Sequence, residues 1–381
     1  MLAELTALVG APWLWDAIVR LLLARRARSS ADAPAGEPPE RWLVLVPARA
    51  EGTAVEATLR SVAGAAAGLP VETVAVLDGA DPAAERIAVA LAATVAVKAP
   101  AGPTKGAALG WAVRELGDRL DRVDAVLVLD VGSTLPAGFF AGFHWPQGAT
   151  VVQAYLTGEA DHLGRAVALS ERAAQLWQDR GRQALGWAVR LRGTGTAYRP
   201  AALRSVADRL VTVIEDTEAG LLLAAAGATV ALGPEELPVA DVKPEALGDA
   251  ARQRSRWLAG QIGLLLRRPG ALLRLIARRP LEGLAFAAEL LSRPLSLTGV
   301  FRLLLGAAWT AWSATHGWPA LETVLGAVLL ASVTGDAILL RLASCASWPR
   351  LAAAVAAMAL SWLGAAALLP RALVGWMRGR R

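Results

Sequence analysis

Short apolar runs alternate with amphipathic stretches through the first half of the chain, and the alternation predicts an α/β domain. Arg41 to Pro47 (R-W-L-V-L-V-P) is a nearly unbroken apolar run closed by proline, as in a strand buried on both faces. Val55, Leu59 and Val62 then recur at helical spacing behind a Thr53–Glu56 capping-box pattern. Val71 to Leu77 is a second strand, ending at Asp78. Asp81-Pro82 opens a helix with a capping acid and proline at the first helical position. Thr94 to Val97 is a third strand, and Lys105-Gly106 opens a helix through Leu116. Asp124 to Leu129 is a fourth strand, ending at Asp130, and Val151 to Leu156 a fifth. Such alternation builds a largely parallel sheet covered on both faces, with ligands bound beyond the carboxyl ends of its strands. Asp78 and Asp130 both fall there.

The second half reads differently. Asp161 to Arg190 is a long helical stretch, and Gly193-Thr194-Gly195-Thr196 is a turn or bulge leading into Tyr198 and Arg199. Val211 to Ile214 is followed by Glu215-Asp216, which caps a helix from Thr217 to Ala226. Glu245 to Leu266 is a further helix. From Leu264 onward, Arg267, Arg268, Arg274, Arg278 and Arg279 alternate with leucines, as on a helix lying in a membrane interface. Leu295–Thr315, Leu321–Leu342 and Leu351–Leu369 are each long enough to span a membrane, at about 20 residues per helix. Leu2 to Leu23 is a fourth apolar stretch. Arg25, Arg26 and Arg28 follow it, which puts the N-terminus outside and Arg25 in the cytoplasm. Asp16 inside that stretch costs about 2.5–3.5 kcal/mol on insertion scales, so an interfacial helix is the alternative.

The division is therefore a membrane helix over 1–24, an Ala/Pro/Glu-rich linker over 25–40 and a cytoplasmic α/β domain over 41–260. Amphipathic interface helices follow over 261–294, and about three transmembrane helices over 295–381. One N-terminal and three C-terminal spans would leave Arg378, Arg380 and Arg381 outside, against the positive-inside tendency. An extra span over Leu281–Ser292, a re-entrant last stretch or a non-spanning first stretch would each resolve that. Arg302 and Asp336 sit at similar depth in adjacent apolar stretches; either they pair near the acceptor entrance, or Arg302 snorkels and Asp336 meets a headgroup or water.

Composition narrows the function. The chain has 381 residues, 55% of them hydrophobic, enough for one domain and a membrane part. Its net charge of +6 comes mostly from arginines beside apolar segments. No basic groove interleaved with aromatics is present, so the partners are lipid headgroups and not nucleic acid. One cysteine, Cys345, excludes an intrachain disulfide, and with three histidines a zinc enzyme is disfavoured. Neither a G-x-G-x-x-G nor a P-loop follows any strand.

The Glu245–Leu266 helix carries Gln253-Arg254-Ser255-Arg256-Trp257. Gln and Arg three apart share a helix face; a guanidinium there grips a diphosphate while Trp covers an apolar surface. An interfacial anchor is the plainer alternative. This Q-x-x-R-W pattern, at the border of an α/β domain and a membrane part, resembles the membrane-bound family 2 glycosyltransferases. That group holds the cellulose, hyaluronan and chitin synthases and the ceramide glucosyltransferases.

The resemblance runs over about residues 42–260 and implies a GT-A-like (Rossmann-like) fold with interfacial amphipathic helices and C-terminal transmembrane helices. It also implies roles, in chain order. Pro47, Arg49 and Glu51 lie in the first strand-loop, at the nucleobase. Asp78 is the acid near base and ribose, and Lys105 reaches phosphate. Asp130 is the first acid of the metal-binding D-x-D, for Mg²⁺ or Mn²⁺. Gly193, Thr194, Gly195 and Thr196 shape the acceptor region. Glu215-Asp216 is the E-D pair, with Asp216 the general base, and Gln253, Arg256 and Trp257 complete the donor site. The second D-x-D acid is replaced by Gly132, which the ceramide glucosyltransferase-like relatives tolerate.

The implied activity is inverting transfer of a hexose from a nucleotide-diphospho-sugar, most readily a UDP-sugar, to a lipid or lipid-linked acceptor. The protein would sit in the inner or plasma membrane with its catalytic domain facing the cytoplasm. A processive polysaccharide synthase and a non-catalytic membrane scaffold with a degenerate metal site are the alternatives.

Overall fold

The computed structural model describes residues 2–28, 35–158, 162–242, 246–292, 295–316, 320–344 and thirteen positions within 348–370. Its apolar runs pair as β1 (Trp42–Ala48), β2 (Val71–Asp78), β3 (Thr94–Lys98), β4 (Ala125–Val128) and β5 (Val151–Gln153). The later strands are β6 (Leu156–Thr157), β7 (Thr196–Tyr198), β8 (Val230–Leu232) and β9 (Val239–Ala240). Seven of them form one sheet in the order β3-β2-β1-β4-β7-β5-β8, while β6 and β9 pair separately. Every neighbouring pair in the main sheet is parallel except those of β7, which runs antiparallel to β4 and β5. Trp42, Val44 and Val46 of β1 enter one core and Leu43 and Leu45 the other, all buried. Burial on both faces is why β1 reads as a continuous apolar run.

The chain moves outward from β1 to β2 and β3, then returns to lay β4 on the other side of β1. The strand order reverses there, and a crevice opens beyond the strand ends. The helices of the domain are α1 (Leu2–Ala27), α2 (Val55–Ala66), α3 (Pro82–Ala90), α4 (Lys105–Glu115) and α5 (Phe139–Gly142). They continue as α6 (His162–Ala173), α7 (Arg180–Ala184), α8 (Pro200–Ala207) and α9 (Glu215–Ala226). Asp81 caps α3 as its sequence predicts, accepting from the Ala84 amide at 3.1 Å.

Several local expectations are corrected. Thr53 and Glu56 make no capping box: Gly52–Ala54 form a 3-10 turn, and Glu56 instead accepts from Arg60 Nε at 2.9 Å. The expected fifth strand breaks into β5 and β6. The helix expected up to Arg190 stops at Ala184 and carries a π-helical turn, Ala174–Asp179, in its middle. Glu215 and Asp216 form the first turn of α9 and do not cap it. The short strands β8 and β9 carry too few residues for a period to show. Asp161 and Glu245 lie outside the described residues.

After the sheet come α10 (Leu247–Arg267), α11 (Pro269–Arg278), α12 (Pro280–Ser292), α13 (Leu295–His316) and α14 (Ala320–Ser344). α10 runs straight through the expected boundary at residue 260. Among the described residues one helix is long and apolar enough to cross a membrane, over Thr323–Leu342 of α14. About half of the expected third C-terminal stretch lies outside the described residues, as do Gly317 to Pro319, Cys345 and residues 371–381. Within the expected linker, residues 35–37 are pinned to the domain: Gly36 N–H donates to Trp145 O at 2.6 Å, and Ala35 bridges Pro146.

α1 packs along α7, the π-helical turn, α12 and α14. The Leu23 backbone presses on Gly181 of α7, where a side chain would collide with it. Arg302 donates to Asp336 at 2.8 Å, so of the two readings the pairing holds. The other Asp336 oxygen accepts from Arg20 of α1, and Arg20 Nε donates to Asp16 at 2.9 Å. Asp16, an isolated liability in sequence, is thus neutralised inside a four-residue network. Asp336→Asn breaks two ion pairs at once, and breaking a buried pair costs about 3–5 kcal/mol. A markedly lower melting temperature in detergent is the expected result. Exchanging the side chains of Arg302 and Asp336 is not expected to restore it, because the exchange sets a second guanidinium beside that of Arg20.

Candidate active site

Two clusters line the crevice. At the ends of β1 to β3, Arg49 donates to Gly102 O at 2.7 Å and approaches Asp78 Oδ2 at 3.4 Å. Asp78 Oδ1 accepts from the Gly102 amide at 2.5 Å. Asp78 is buried and braces the loop after β3, so its structural work is visible beside any contact to a ligand. Pro47 lies within β1, paired with Val76, and Glu51 is exposed just beyond the strand.

The second cluster gathers residues far apart in sequence. Lys105, the first residue of α4, donates to Gly193 O at 2.9 Å, sits 3.0 Å from Glu215 Oε1 and pairs with Asp130 Oδ1. Thr104 caps the helix through its hydroxyl, which fixes where the lysine starts. Gly106 lets the next segment approach: a Cβ there would stand 2.6 Å from Leu210 Cβ and 3.2 Å from Glu215 Cβ. Gly193 has φ +83°, a left-handed backbone that favours glycine. A methyl group on it would lie 3.6 Å from Lys105 Nζ, 3.7 Å from Asp130 Oδ2 and 3.8 Å from Asp216 Oδ2. The bare glycine therefore borders the point on which lysine and both carboxylates converge.

Burial pushes the Asp216 carboxyl up to about 7, and the charge of Glu215 adds to this while Lys105 opposes it. Burial likewise raises Asp130 to about 6 against the pull of Lys105. Burial alone would pull the Lys105 ammonium down; Asp130 and Glu215 outweigh it and hold it well above the usual range. The arrangement pairs a carboxylate poised near neutrality, suited to take a proton, with a fixed cation, suited to stabilise a departing anion.

Gln253, Arg256 and Trp257 occupy α10. Gly260 of that helix meets Ile214 and Val213, immediately before Glu215; a Cβ on it would stand 2.8 Å from Ile214 Cγ2. Gln253 is half-buried, and the buried residues of this stretch of α10 are Ala250, Ala251, Arg254, Ser255, Ala259 and Gly260. Arg256 and Trp257 are exposed. The buried arginine of the motif is Arg254, which its sequence position did not single out, and burial lowers its guanidinium to about 10.

Asp241 was also missed. It follows β9, and its Oδ1 lies 3.3 Å from Ser133 Oγ, beside Asp130. The β6–β9 pairing delivers it there, and the only signal in sequence is an acid closing the short apolar run V-A-D. Gly132 has φ +92°, and a Cβ on it would stand 3.3 Å from Val242 Cγ2. An acid at position 132 is therefore disfavoured by the backbone itself.

Fold and cluster define an α/β protein with an acid–lysine site at the switch point of its sheet. Residues 125–366 match the family described as glycosyl transferase family group 2, more than half of the chain, which therefore belongs to that family and is a glycosyltransferase. No curated protein sequence matches it. Among solved structures, the mannosyltransferase PcManGT of Pyrobaculum calidifontis, in complex with GDP-Man and Mn²⁺, is similar over 97% of this chain and 99% of its own. It is 16% identical, with a TM-score of 0.57, and the likeness shows the GT-A-like fold. Glucosyl-3-phosphoglycerate synthase of Mycobacterium tuberculosis, in complex with Mn²⁺, UDP and glucosyl-3-phosphoglycerate, is 19% identical. That match covers 64% of this chain and 82% of the other at a TM-score of 0.40, too low to carry an argument.

Proposed function

We propose that the chain is an inverting, membrane-associated glycosyltransferase of the Q-x-x-R-W type. It moves a hexose from a nucleotide-diphospho-sugar, UDP-linked in the first instance, to a lipid or lipid-linked acceptor at the cytoplasmic leaflet. The observation that carries this is the convergence of Lys105, Asp130 and Asp216 around Gly193 at the sheet's switch point. Asp216 takes the proton of the acceptor hydroxyl as that oxygen attacks the anomeric carbon. One displacement with one base inverts the configuration. Lys105 and Arg256 hold the departing diphosphate, and Trp257 flanks the sugar. Arg49 and Asp78 shape the nucleobase end.

Mg²⁺ or Mn²⁺ fits the donor set, which is hard carboxylate oxygen with no soft ligand nearby. Asp130 and Asp241 would hold the ion together with diphosphate oxygens, and it would neutralise charge on the leaving group. Among the described residues no three His, Cys, Asp or Glu side chains form a metal site by themselves. Metal and nucleotide should therefore bind together. UDP with Mn²⁺ is expected to raise the melting temperature by several degrees, and either alone by little. The scaffold alternative predicts no effect that depends on the metal.

The membrane setting rests on the exposed large apolar side chains, most of which lie on α1 and α10 to α14. Leu266, Leu273, Leu281, Leu284, Leu291, Phe301 and Leu304 are examples. A family match that continues through α13 and α14 joins these helices to the catalytic unit. The deciding experiment is transfer from radiolabelled UDP-hexoses into organic-extractable material, using membranes that carry the protein and Mn²⁺ or Mg²⁺. Extractable product is expected. Label confined to insoluble, non-extractable material would replace the lipid acceptor with a polymer, and no product from UDP-, GDP- or dTDP-sugars would leave the scaffold.

A further inference from the structure

The loop 192–196 supplies two contacts to the cluster. Gly193 O receives the Lys105 ammonium, and Thr194 Oγ1 accepts from the Asp130 amide at 3.0 Å while donating to Ser133 Oγ at 2.9 Å. Both glycines of the loop, Gly193 and Gly195, have left-handed φ. A backbone with two such residues has little stiffness of its own. Its shape must be imposed from outside.

Gln153, the last residue of β5, does this. Its side chain is fully buried beneath the loop. Nε2 donates to Thr194 O at 2.9 Å and to Ala154 O at 3.0 Å, with a longer 3.5 Å contact to Gly195 O. Oε1 accepts from the Arg192 amide at 2.9 Å and from the Thr196 hydroxyl at 3.0 Å. Three carbonyls thus converge on one end of the side chain, and an N–H and an O–H on the other. That polarity fixes the orientation of the amide and admits only a carboxamide: a carboxylate cannot donate to the carbonyls, and a thioether of the same length satisfies neither end. A buried polar hub of this kind specifies one backbone arrangement because every alternative strands several groups without partners.

We propose that Gln153 is a positioning residue for sugar transfer: it fixes loop 192–196 at the height where Gly193 O holds Lys105 and Thr194 holds the Asp130 backbone. It touches neither donor nor acceptor and acts through those two residues. The inference rests on the glycosyltransferase reading only for its catalytic consequence.

Gln153→Met and Gln153→Glu test it in the detergent-solubilised full chain, by hydrogen exchange, by titration with UDP·Mn²⁺ and by transfer kinetics. Met removes both halves of the hub, whereas Glu keeps the acceptor half. Faster exchange confined to residues 192–196 is expected, with β1 to β4 still protected. In folded protein kcat should fall about 100-fold, the scale of a misplacement near 1 Å, while acceptor KM moves less than threefold. UDP·Mn²⁺ affinity should fall tenfold or more, and Glu, whose buried carboxylate would face the three carbonyls, should be at least as severe as Met in exchange. Unchanged exchange in the loop overturns the proposal. So does a folded Gln153→Met enzyme with kcat within twofold of wild type. Should the wild type neither bind nucleotide nor transfer sugar, the exchange arm still shows whether Gln153 holds the loop, so failure of the functional reading is told apart from failure of this one.

Discussion

Asp216→Asn is expected to lower transfer by a factor of about 10²–10⁴, the usual contribution of a positioned general base, while leaving UDP·Mn²⁺ binding within a few-fold of wild type. The pH dependence makes the expectation specific. The Asp216 carboxyl is raised to about 7, first by burial and then by Glu215. A base acts when deprotonated, so wild-type kcat should rise with pH through about 7, and the variant should lose that limb. Stability runs the other way. A carboxyl whose folded value lies above its unfolded value binds its proton more tightly in the native state. It therefore weakens the fold as pH rises from about 4 to 7. Asp216→Asn removes that burden and should melt higher than wild type above pH 7. An inactive but more stable protein separates a lost base from a lost fold. Glu215→Gln removes the neighbouring charge and should move the rising limb to lower pH. Thermal melts and pH–rate profiles on the same preparations decide all three.

Lys105→Met is the second large effect. The ammonium faces Asp130, Glu215 and Gly193 O in one half-buried site. Without it, three carboxylates crowd the point where a diphosphate must leave as an anion. Losing one preorganised donor to a developing negative charge costs about 10²–10³ in kcat. Lys105 also opposes the upward shift of Asp216, so its removal should push the rising limb above pH 7. Breaking this half-buried pair should lower the melting temperature, with the loss largest above pH 7 and smaller where the carboxyls are protonated. Lys105→Arg is not expected to rescue activity, since the ammonium fits between two carboxylates and a carbonyl where a planar fork does not. Transfer at wild-type rate in Lys105→Met would remove the lysine from the mechanism and leave the leaving group to the metal and Arg256.

The two variants probe residues whose roles the family resemblance implied: Lys105 in its Lys-Gly and Asp216 in its Glu-Asp pair. Their placement was locally legible, Lys105 opening a helix and Glu215-Asp216 following a short apolar run. Where a motif depended on what packs behind it, sequence was a weaker guide. Thr53 and Glu56 have capping-box letters, yet the chain enters α2 through a 3-10 turn and Glu56 turns to Arg60. Q-R-S-R-W contains two arginines, and only the fold shows that Arg254 is the buried one.

By itself the sequence determined a largely parallel α/β sheet, because strands buried on both faces must be continuously apolar and the helices between them must carry a stripe, while the antiparallel β7 was not legible. It also placed the candidate acids at strand ends and offered the Arg302–Asp336 pair as one of two readings, between which only the contact in the structure chooses. Tertiary structure alone decided that Asp241 stands beside Asp130, that Gln153 holds the loop over Lys105, and that Arg20 and Asp16 complete the network at Asp336. These join elements separated by tens to hundreds of residues through β-pairings too short to show a period and through single buried polar side chains. A buried polar residue looks the same in sequence whether it spans two strands or faces water; which partner it meets is fixed only when the sheet order brings the partner to it.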